Sequence, residues 1–78
     1  MPVVLRIKGF RFFFYSDEGF EPVHIHIEKA GKRGKIWLEP EYKEEYIYDF
    51  TIGEVKDIRK IIEENIEILK NTWYENFE

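Results

Sequence analysis

The only two histidines of this chain lie one residue apart, within residues 21–28, which read EPVHIHIE. An imidazole has an unperturbed pKa of about 6.5 and therefore exchanges protons near neutral pH. Side chains two residues apart on a β-strand point to the same face, about 6.5–7 Å apart along the chain. The spacing of His24 and His26 therefore predicts a site with two imidazoles on one face of a sheet.

Three kinds of chemistry fit this pair. The rings can pack against aromatic neighbours and form local hydrogen bonds. They can also act as acid and base, with Glu39 orienting His24 and Tyr15 donating to an oxyanion. Zinc or copper is the third choice, but such a site needs three or four ligands. The chain has no cysteine and Glu39 is the one further ligand expected on this face, so we expect no metal and no cofactor.

Alternating apolar residues predict the strands that hold the histidines. Gly9, residues 16–22 and residues 30–33 have the composition of turns, and Pro40 ends the fourth strand. The pattern predicts a four-stranded antiparallel meander, with residues 44–50 as a fifth strand or as an extended approach to a helix. The predicted core positions on the strands are Phe10, Phe12, Phe14, Val23, Ile25, Ile27, Ile36 and Leu38.

One helix follows the strands. Thr51 and Glu54 have the spacing of a capping box, T-x-x-E, which predicts a helix start. Apolar residues at three- and four-residue steps then predict a single long helix over about residues 52–76, packed on one face of the sheet. Residues 1–78 are therefore predicted to form one α+β domain. The apolar stripe consists of Ile52, Val55, Ile58, Ile62, Ile66, Leu69 and Trp73.

The residues between the core positions line the other face of the sheet. A symmetric register with a turn at residues 30–33 places directly opposed side chains about 4.5–5.5 Å apart. An open face that contains phenylalanine, tyrosine and tryptophan is more apolar than a monomer usually exposes, which favours a protein interface or a homodimer. The predicted rows are Tyr15–His24–Glu39, Phe13–His26–Trp37 and Arg11–Glu28–Lys35.

The composition limits the partners. A net charge of −4 disfavours RNA and other phosphate-rich partners, although Arg11 and Lys35 can attract a phosphodiester. The first residues alternate instead of forming a signal peptide, and no apolar run approaches about 20 residues. We therefore expect a cytoplasmic protein without a membrane span. The Lys-, Glu- and Ile-rich composition without glutamine is typical of thermophilic proteins.

Five short stretches are similar to a known family. They read FRFFFYS (10–16), EPVHIHI (21–27), KIWLEP (35–40), IIEEN (61–65) and WYENF (73–77). Over nearly the whole chain they resemble the small prokaryotic domain of unknown function 4160. Val23 stands where members often have a second proline, and Ile27 where they usually have valine.

The resemblance implies one component of a two-gene, toxin–antitoxin-like module, encoded next to a second small protein. By this resemblance, five residues of the chain match the family motif. They are Glu21, Pro22, His24, His26 and Trp37. It implies no assigned activity.

Three functions follow as hypotheses. The first is a non-enzymatic protein that binds a partner from its own module through its aromatic and histidine face and the loop at residues 16–22. The second is a metal-independent ribonuclease-type toxin with His24 and His26 as acid and base. The third is a binder of single-stranded nucleic acid that stacks bases on its aromatic rings. The residues predicted to form the binding face are Phe13, Trp37, Glu21, Pro22, Arg11 and Lys35.

Overall fold

The structure is a computed structural model that describes residues 3–77. Five antiparallel strands pair in chain order, which confirms the α+β class and the meander, and residues 44–50 contribute to a fifth strand. Neither of the two helices within residues 3–77 is long and apolar enough to cross a membrane. The elements are β1 (Val3–Ile7), β2 (Phe10–Phe13), β3 (His24–Lys29), β4 (Lys32–Trp37), β5 (Lys43–Ile47), α1 (Ile52–Glu64) and α2 (Ile66–Phe77).

The core joins one face of the sheet to the two helices. Every core position predicted on the strands is buried, together with Ile58, Ile61 and Ile62 of α1 and Leu69 and Trp73 of α2. Burying one such side chain contributes about 1.5–3 kcal/mol. The predicted stripe is wrong at its first member, because Ile52 is 79% exposed. Ile52 is the first residue of α1, a turn and a half before the helix reaches its first buried residue.

The turn between β3 and β4 is shorter than the four-residue loop predicted at residues 30–33. Ala30 and Gly31 form the turn, with φ angles of 50° and 81°. Positive φ at both central residues is what a two-residue type I′ turn requires. Lys29 therefore pairs with Lys32, and β4 is shifted by two residues against the predicted register. Because side chains alternate with a period of two, this shift leaves every residue on its predicted face.

The predicted single helix is wrong, because the helix divides at Asn65, which has φ −122° and ψ 19°. The backbone N–H of Asn65 donates to the carbonyls of Ile61 and Ile62, and its side-chain amide donates to Ile61 O at 2.8 Å. Bonds from an asparagine side chain to nearby backbone groups compete with the regular helical pattern. Helical bonding continues when the Leu69 N–H donates to Asn65 O, and α2 then carries Trp73 to the end of the sheet that holds the histidines.

The start of α1 is as predicted. The Thr51 hydroxyl accepts from the Glu54 backbone N–H, and the Glu54 carboxylate accepts from the Thr51 backbone N–H. The same carboxylate contacts Lys32 and Lys29. These ion pairs hold the start of α1 beside the β3–β4 turn, at the opposite end of β3 from the histidines.

Candidate functional site

The loop between β2 and β3 carries a carboxylate onto the histidine pair. Glu18 Oε1 lies 3.0 Å from His24 Nε2, and both Glu18 carboxylate oxygens lie 3.1 Å from His26 Nε2. Both rings are buried, with 1% of His24 and 8% of His26 exposed. One possible metal-ligand atom from each of the three residues lies within 4.8 Å of the others. We call Glu18, His24 and His26 the histidine–glutamate cluster.

Hydrogen bonds within the loop fix the position of Glu18. The Tyr15 backbone N–H donates to Glu18 Oε1 at 2.9 Å, and the Glu18 N–H donates back to Tyr15 O at 3.2 Å. The Glu21 N–H then donates to Glu18 O at 3.0 Å. Gly19 lets the loop approach α2, because a Cβ atom at this position would overlap the ring of Phe77. The polar, glycine-containing sequence of the loop favours such tight turns.

The proton on His24 can be placed from its neighbours. Nδ1 lies 3.0 Å from the Pro22 carbonyl oxygen, which only accepts hydrogen bonds, so Nδ1 carries a proton. Nε2 is buried and lies 3.0 Å from Glu18 Oε1, but the angle there does not suit a hydrogen bond. Among residues 3–77, Nε2 therefore has no hydrogen-bond partner. Buried polar atoms in this situation are rare and call for an explanation.

Aromatic rings enclose the two imidazoles. Phe13 stacks on His26, with ring centroids 5.5 Å apart and an angle of 22° between the planes. Trp37 and Trp73 contact His24 edge-on, with centroid distances of 5.1 and 4.8 Å. Such apolar surroundings lower the local dielectric constant and strengthen the interactions among the charges inside.

In the histidine–glutamate cluster, burial and hydrogen bonding shift the pKa values of Glu18 and His26 in opposite directions. Burial raises the pKa of Glu18, but hydrogen bonds from the Tyr15 backbone N–H and from His26 outweigh it, so this pKa lies below its usual value. Burial lowers the pKa of His26, and the Glu18 carboxylate opposes this shift without reversing it. The positive charge of Lys35 adds to the lowering. At neutral pH, Glu18 is therefore ionised and His26 is neutral.

The predicted register between β2 and β3 is confirmed. Arg11 lies opposite Glu28, and Phe13 lies opposite His26. Arg11 forms a hydrogen-bonded ion pair with Glu28, and its guanidinium carbon lies 5.1 Å from the centroid of the Phe13 ring. Tyr15, predicted to lie opposite His24, lies beyond the end of β2 and instead contacts the ring of His26 edge-on, with a centroid distance of 4.8 Å.

The predicted pairs between β3 and β4 are wrong, because the connecting turn has two residues. Trp37, instead of Glu39, lies opposite His24. Lys35, instead of Trp37, lies opposite His26. Aromatic and basic residues of β4 thus lie opposite the histidines, but not in the pairs that the sequence predicted.

The carboxylate at the histidines is Glu18, which the sequence did not identify. Glu39, predicted for this role, accepts a hydrogen bond from the Tyr74 hydroxyl. The alternating pattern ends before the loop, so it cannot select among the loop acids Asp17, Glu18 and Glu21. The one signal in the sequence was the concentration of acids in a loop that directly precedes the histidine strand.

The remaining predicted binding residues lie beside the cluster. Lys35 Nζ lies 3.3 Å from the Glu21 carboxylate and 4.4 Å from the centroid of the Trp37 ring. Pro22 and Trp37 line a groove with a volume of about 310 Å³, which we call the Trp37 groove. Its other lining residues are Glu39, Pro40, Glu41 and Lys43.

Comparison with known proteins adds a family to this description. The model of the family described as "Domain of unknown function (DUF4160)" matches residues 9–74, a range that holds the histidine–glutamate cluster and the Trp37 groove. No curated protein and no solved structure matches the chain. The chain belongs to the DUF4160 family.

Proposed function

We propose that the chain is the partner-binding component of a two-gene, toxin–antitoxin-like module and binds the small protein encoded beside it. The observation that carries this proposal is Phe20, which is 87% exposed on the loop that covers the histidines. Phenylalanine is among the residues most often buried. Aromatic side chains are also enriched at the centres of protein interfaces. The resemblance to two-gene modules supplies the candidate partner.

Phe20 is exposed on a loop that is fixed on both sides of it. Glu18 contacts the buried histidines, and Gly19 packs closely against α2. On the other side, the Glu21 N–H bonds to Glu18 O and the Glu21 carboxylate contacts Lys35. A contact residue held in place before binding loses less conformational entropy when the partner arrives. The fixed loop therefore favours Phe20 as an interface anchor.

The Trp37 groove extends this surface. Pro22 ends the loop two residues after Phe20 and also lines the groove beside Trp37. Trp37 is half-buried, so part of its ring remains available. An interface of standard size buries about 800 Å² on each partner. A partner that covers Phe20, Pro22 and Trp37 together would have an apolar centre with charged residues at its rim.

Burial of the imidazoles favours binding over the ribonuclease alternative. A general acid or base must come within hydrogen-bond reach of the proton that it transfers. His24 and His26 lie under the loop, enclosed by aromatic rings, with 1% and 8% of their surfaces exposed. Phe20, which is more exposed than the neighbouring Tyr15, is on the loop above them.

The test is co-expression with the protein encoded beside this chain, followed by isothermal titration of the two purified proteins. Phe20→Ala should weaken binding by at least about 30-fold, since interface hot spots contribute 2 kcal/mol or more. Ile52→Ala is the matched control, because Ile52 is 79% exposed but lies at the far end of the molecule. This variant should bind like the unmodified chain.

Two results would overturn the proposal. One is binding that Phe20→Ala and Trp37→Ala leave unchanged while circular dichroism shows both variants folded. The other is the absence of any complex with the neighbouring protein, together with cleavage of single-stranded RNA that is lost in His24→Ala and His26→Ala. That second outcome would establish the ribonuclease.

A further inference from the structure

We propose that Glu18, His24 and His26 bind one divalent transition-metal ion, with zinc(II) as the ion that best suits two imidazoles and a carboxylate. This metal site goes beyond partner binding and does not depend on it. The sequence predicted no metal, because Glu39 was the one carboxylate expected beside the histidines. The loop supplies Glu18 instead, which gives the three protein ligands that zinc(II) has in many sites with an open fourth position.

The first argument is the orientation of His24. Because Nδ1 donates its proton to the Pro22 carbonyl, the form of the ring with a single proton has its lone pair at Nε2. His24 Nε2 lies 3.0 Å from Oε1 of the Glu18 carboxylate. Two such atoms at this distance repel each other unless a cation lies between or beside them. A backbone carbonyl on the other ring nitrogen is also the usual support of a histidine that binds a metal.

A shared proton explains the contact less well than a metal ion does. A proton between Nε2 and Oε1 would need an almost linear hydrogen bond, and the angle at His24 does not allow one. A metal ion does not need this linear arrangement, because both ligand atoms point toward the ion and not toward each other. The buried Nε2 atom of His24 without a hydrogen-bond partner is therefore the expected arrangement of a ligand.

The second argument is distance. With metal–ligand bonds of about 2.1 Å, ligand atoms lie about 3.0 Å apart at right angles and about 3.4 Å apart at tetrahedral angles. The Glu18 oxygens lie 3.0 Å from His24 Nε2 and 3.1 Å from His26 Nε2. Both separations suit neighbouring ligands of one ion. The three ligand atoms all lie within 4.8 Å of one another, so small movements of the loop and of the two rings would bring them to the separations of one ion's ligands.

The test uses the full chain, stripped of metal with EDTA and dialysed, and titrated with zinc chloride in a calorimeter. We expect one zinc ion per chain and a Tm that rises with zinc concentration, because a ligand that binds only the folded state stabilises it. Glu18→Gln should weaken zinc binding by at least about tenfold, since even the loss of a supporting group commonly costs 10- to 100-fold. Asp17→Asn removes the same charge one residue away and should bind zinc normally.

A second measurement does not rely on variants. In ¹⁵N spectra of the unmodified chain labelled in its imidazoles, zinc should shift Nε2 of both histidines and leave Nδ1 of His24 protonated. The proposal is overturned if no zinc binds, if Glu18→Gln binds as well as the unmodified chain, or if the shifts miss either ring. None of these outcomes bears on partner binding, since no partner is present.

Discussion

Two carboxylates at opposite ends of β3 are each held between two basic side chains. Glu54 lies beside the β3–β4 turn, 3.5 Å from Lys29 and 2.9 Å from Lys32. Glu18 lies at the start of β3, 3.0 and 3.1 Å from the two histidines. We call the first the lysine end and the second the histidine end of the sheet. Each carboxylate has two basic neighbours, but the kind of base differs.

The lysine end is a fixed ionic support, whereas the histidine end can exchange a bound cation. Lysines stay charged throughout the physiological range, and the hydrogen bond from Lys32 is the main cause that lowers the pKa of Glu54 to about 2. The lysine end therefore keeps the same ionic state and holds the start of α1. At the histidine end, burial lowers the pKa of His26, so this ring gains its charge only as the pH falls below 6.5. A structure that needed only to fix the loop would be served by lysine, so the histidines suggest a role that depends on exchange.

The largest loss of stability is expected at Trp73, where the histidine end joins the core. Trp73 packs against His24, Phe14 and Phe77. Trp73→Ala should lower the free energy of unfolding by about 3–5 kcal/mol, because it leaves a cavity in a packed core. Urea unfolding measures this loss. Ile68→Ala on the same helix is the control, because Ile68 is 49% exposed and its loss should be much smaller. Equal losses in the two variants would refute the packing role.

Substitution of the two carboxylates tests the comparison directly. Glu18→Gln should lower the free energy of unfolding of the metal-free protein by about 1–3 kcal/mol, because it removes charged hydrogen bonds from a buried site. Glu54→Gln should lower it less, and its effect should shrink further in high salt, since its lysine partners are more accessible. Urea unfolding at low and high salt distinguishes the two. A larger or less salt-sensitive loss at Glu54 would reverse the comparison.

Acid should weaken the histidine end before the lysine end. The pKa of His26 is below 6.5 in the folded chain, so the unfolded chain binds more protons and stability falls as pH drops below 6.5. For one proton the change is at most about 1.4 kcal/mol per pH unit. The lowered pKa of Glu18 acts in the same direction, with its contribution present above pH 4.5 and lost as pH falls through its folded pKa.

Unfolding of the metal-free protein between pH 7 and pH 5 measures this dependence. Glu54→Gln should keep the slope, because the pKa of Glu54, about 2, lies far below this range. His26→Gln should flatten it. A slope that survives in His26→Gln would assign the pH dependence to other groups.

The smallest effect on stability is expected at the exposed ring of the loop. Phe20→Ala should change the free energy of unfolding by no more than about 0.5 kcal/mol, because the side chain is 87% exposed. Thermal unfolding checks this value. A loss above about 1 kcal/mol would show that Phe20 helps to hold the loop, which the structure assigns to Glu18. The loop would then not be fixed by the histidine end alone.

The strand faces and the β2–β3 register followed from the sequence because alternation reports them directly. The same alternation cannot detect a shift of two residues, which is why the neighbours of His24 on β4 were mispredicted. The deciding feature was the turn, in which Ala30 adopts a positive φ that alanine seldom takes. Nothing in the local composition separates that turn from a four-residue loop.

Two further features are not reported by the periodicity of apolar residues. The apolar stripe continues through Asn65, so periodicity alone predicts one helix where the structure has two. Glu18 is placed by loop hydrogen bonds and by histidines that follow it in the chain. A pattern of apolar and polar residues carries no information about either contact. The capping box at Thr51 was predictable because its two hydrogen bonds are local.

The two-residue turn at Ala30–Gly31 restricts how the length of this hairpin can change during evolution. An insertion or deletion of two residues in β4 or its turn replaces the neighbours of the histidines but keeps aromatic and basic side chains on their face. A change of one residue would turn that face toward the helices and bring core residues such as Ile36 into solvent, unless a bulge absorbs it. Length variation at this position should therefore occur in even steps.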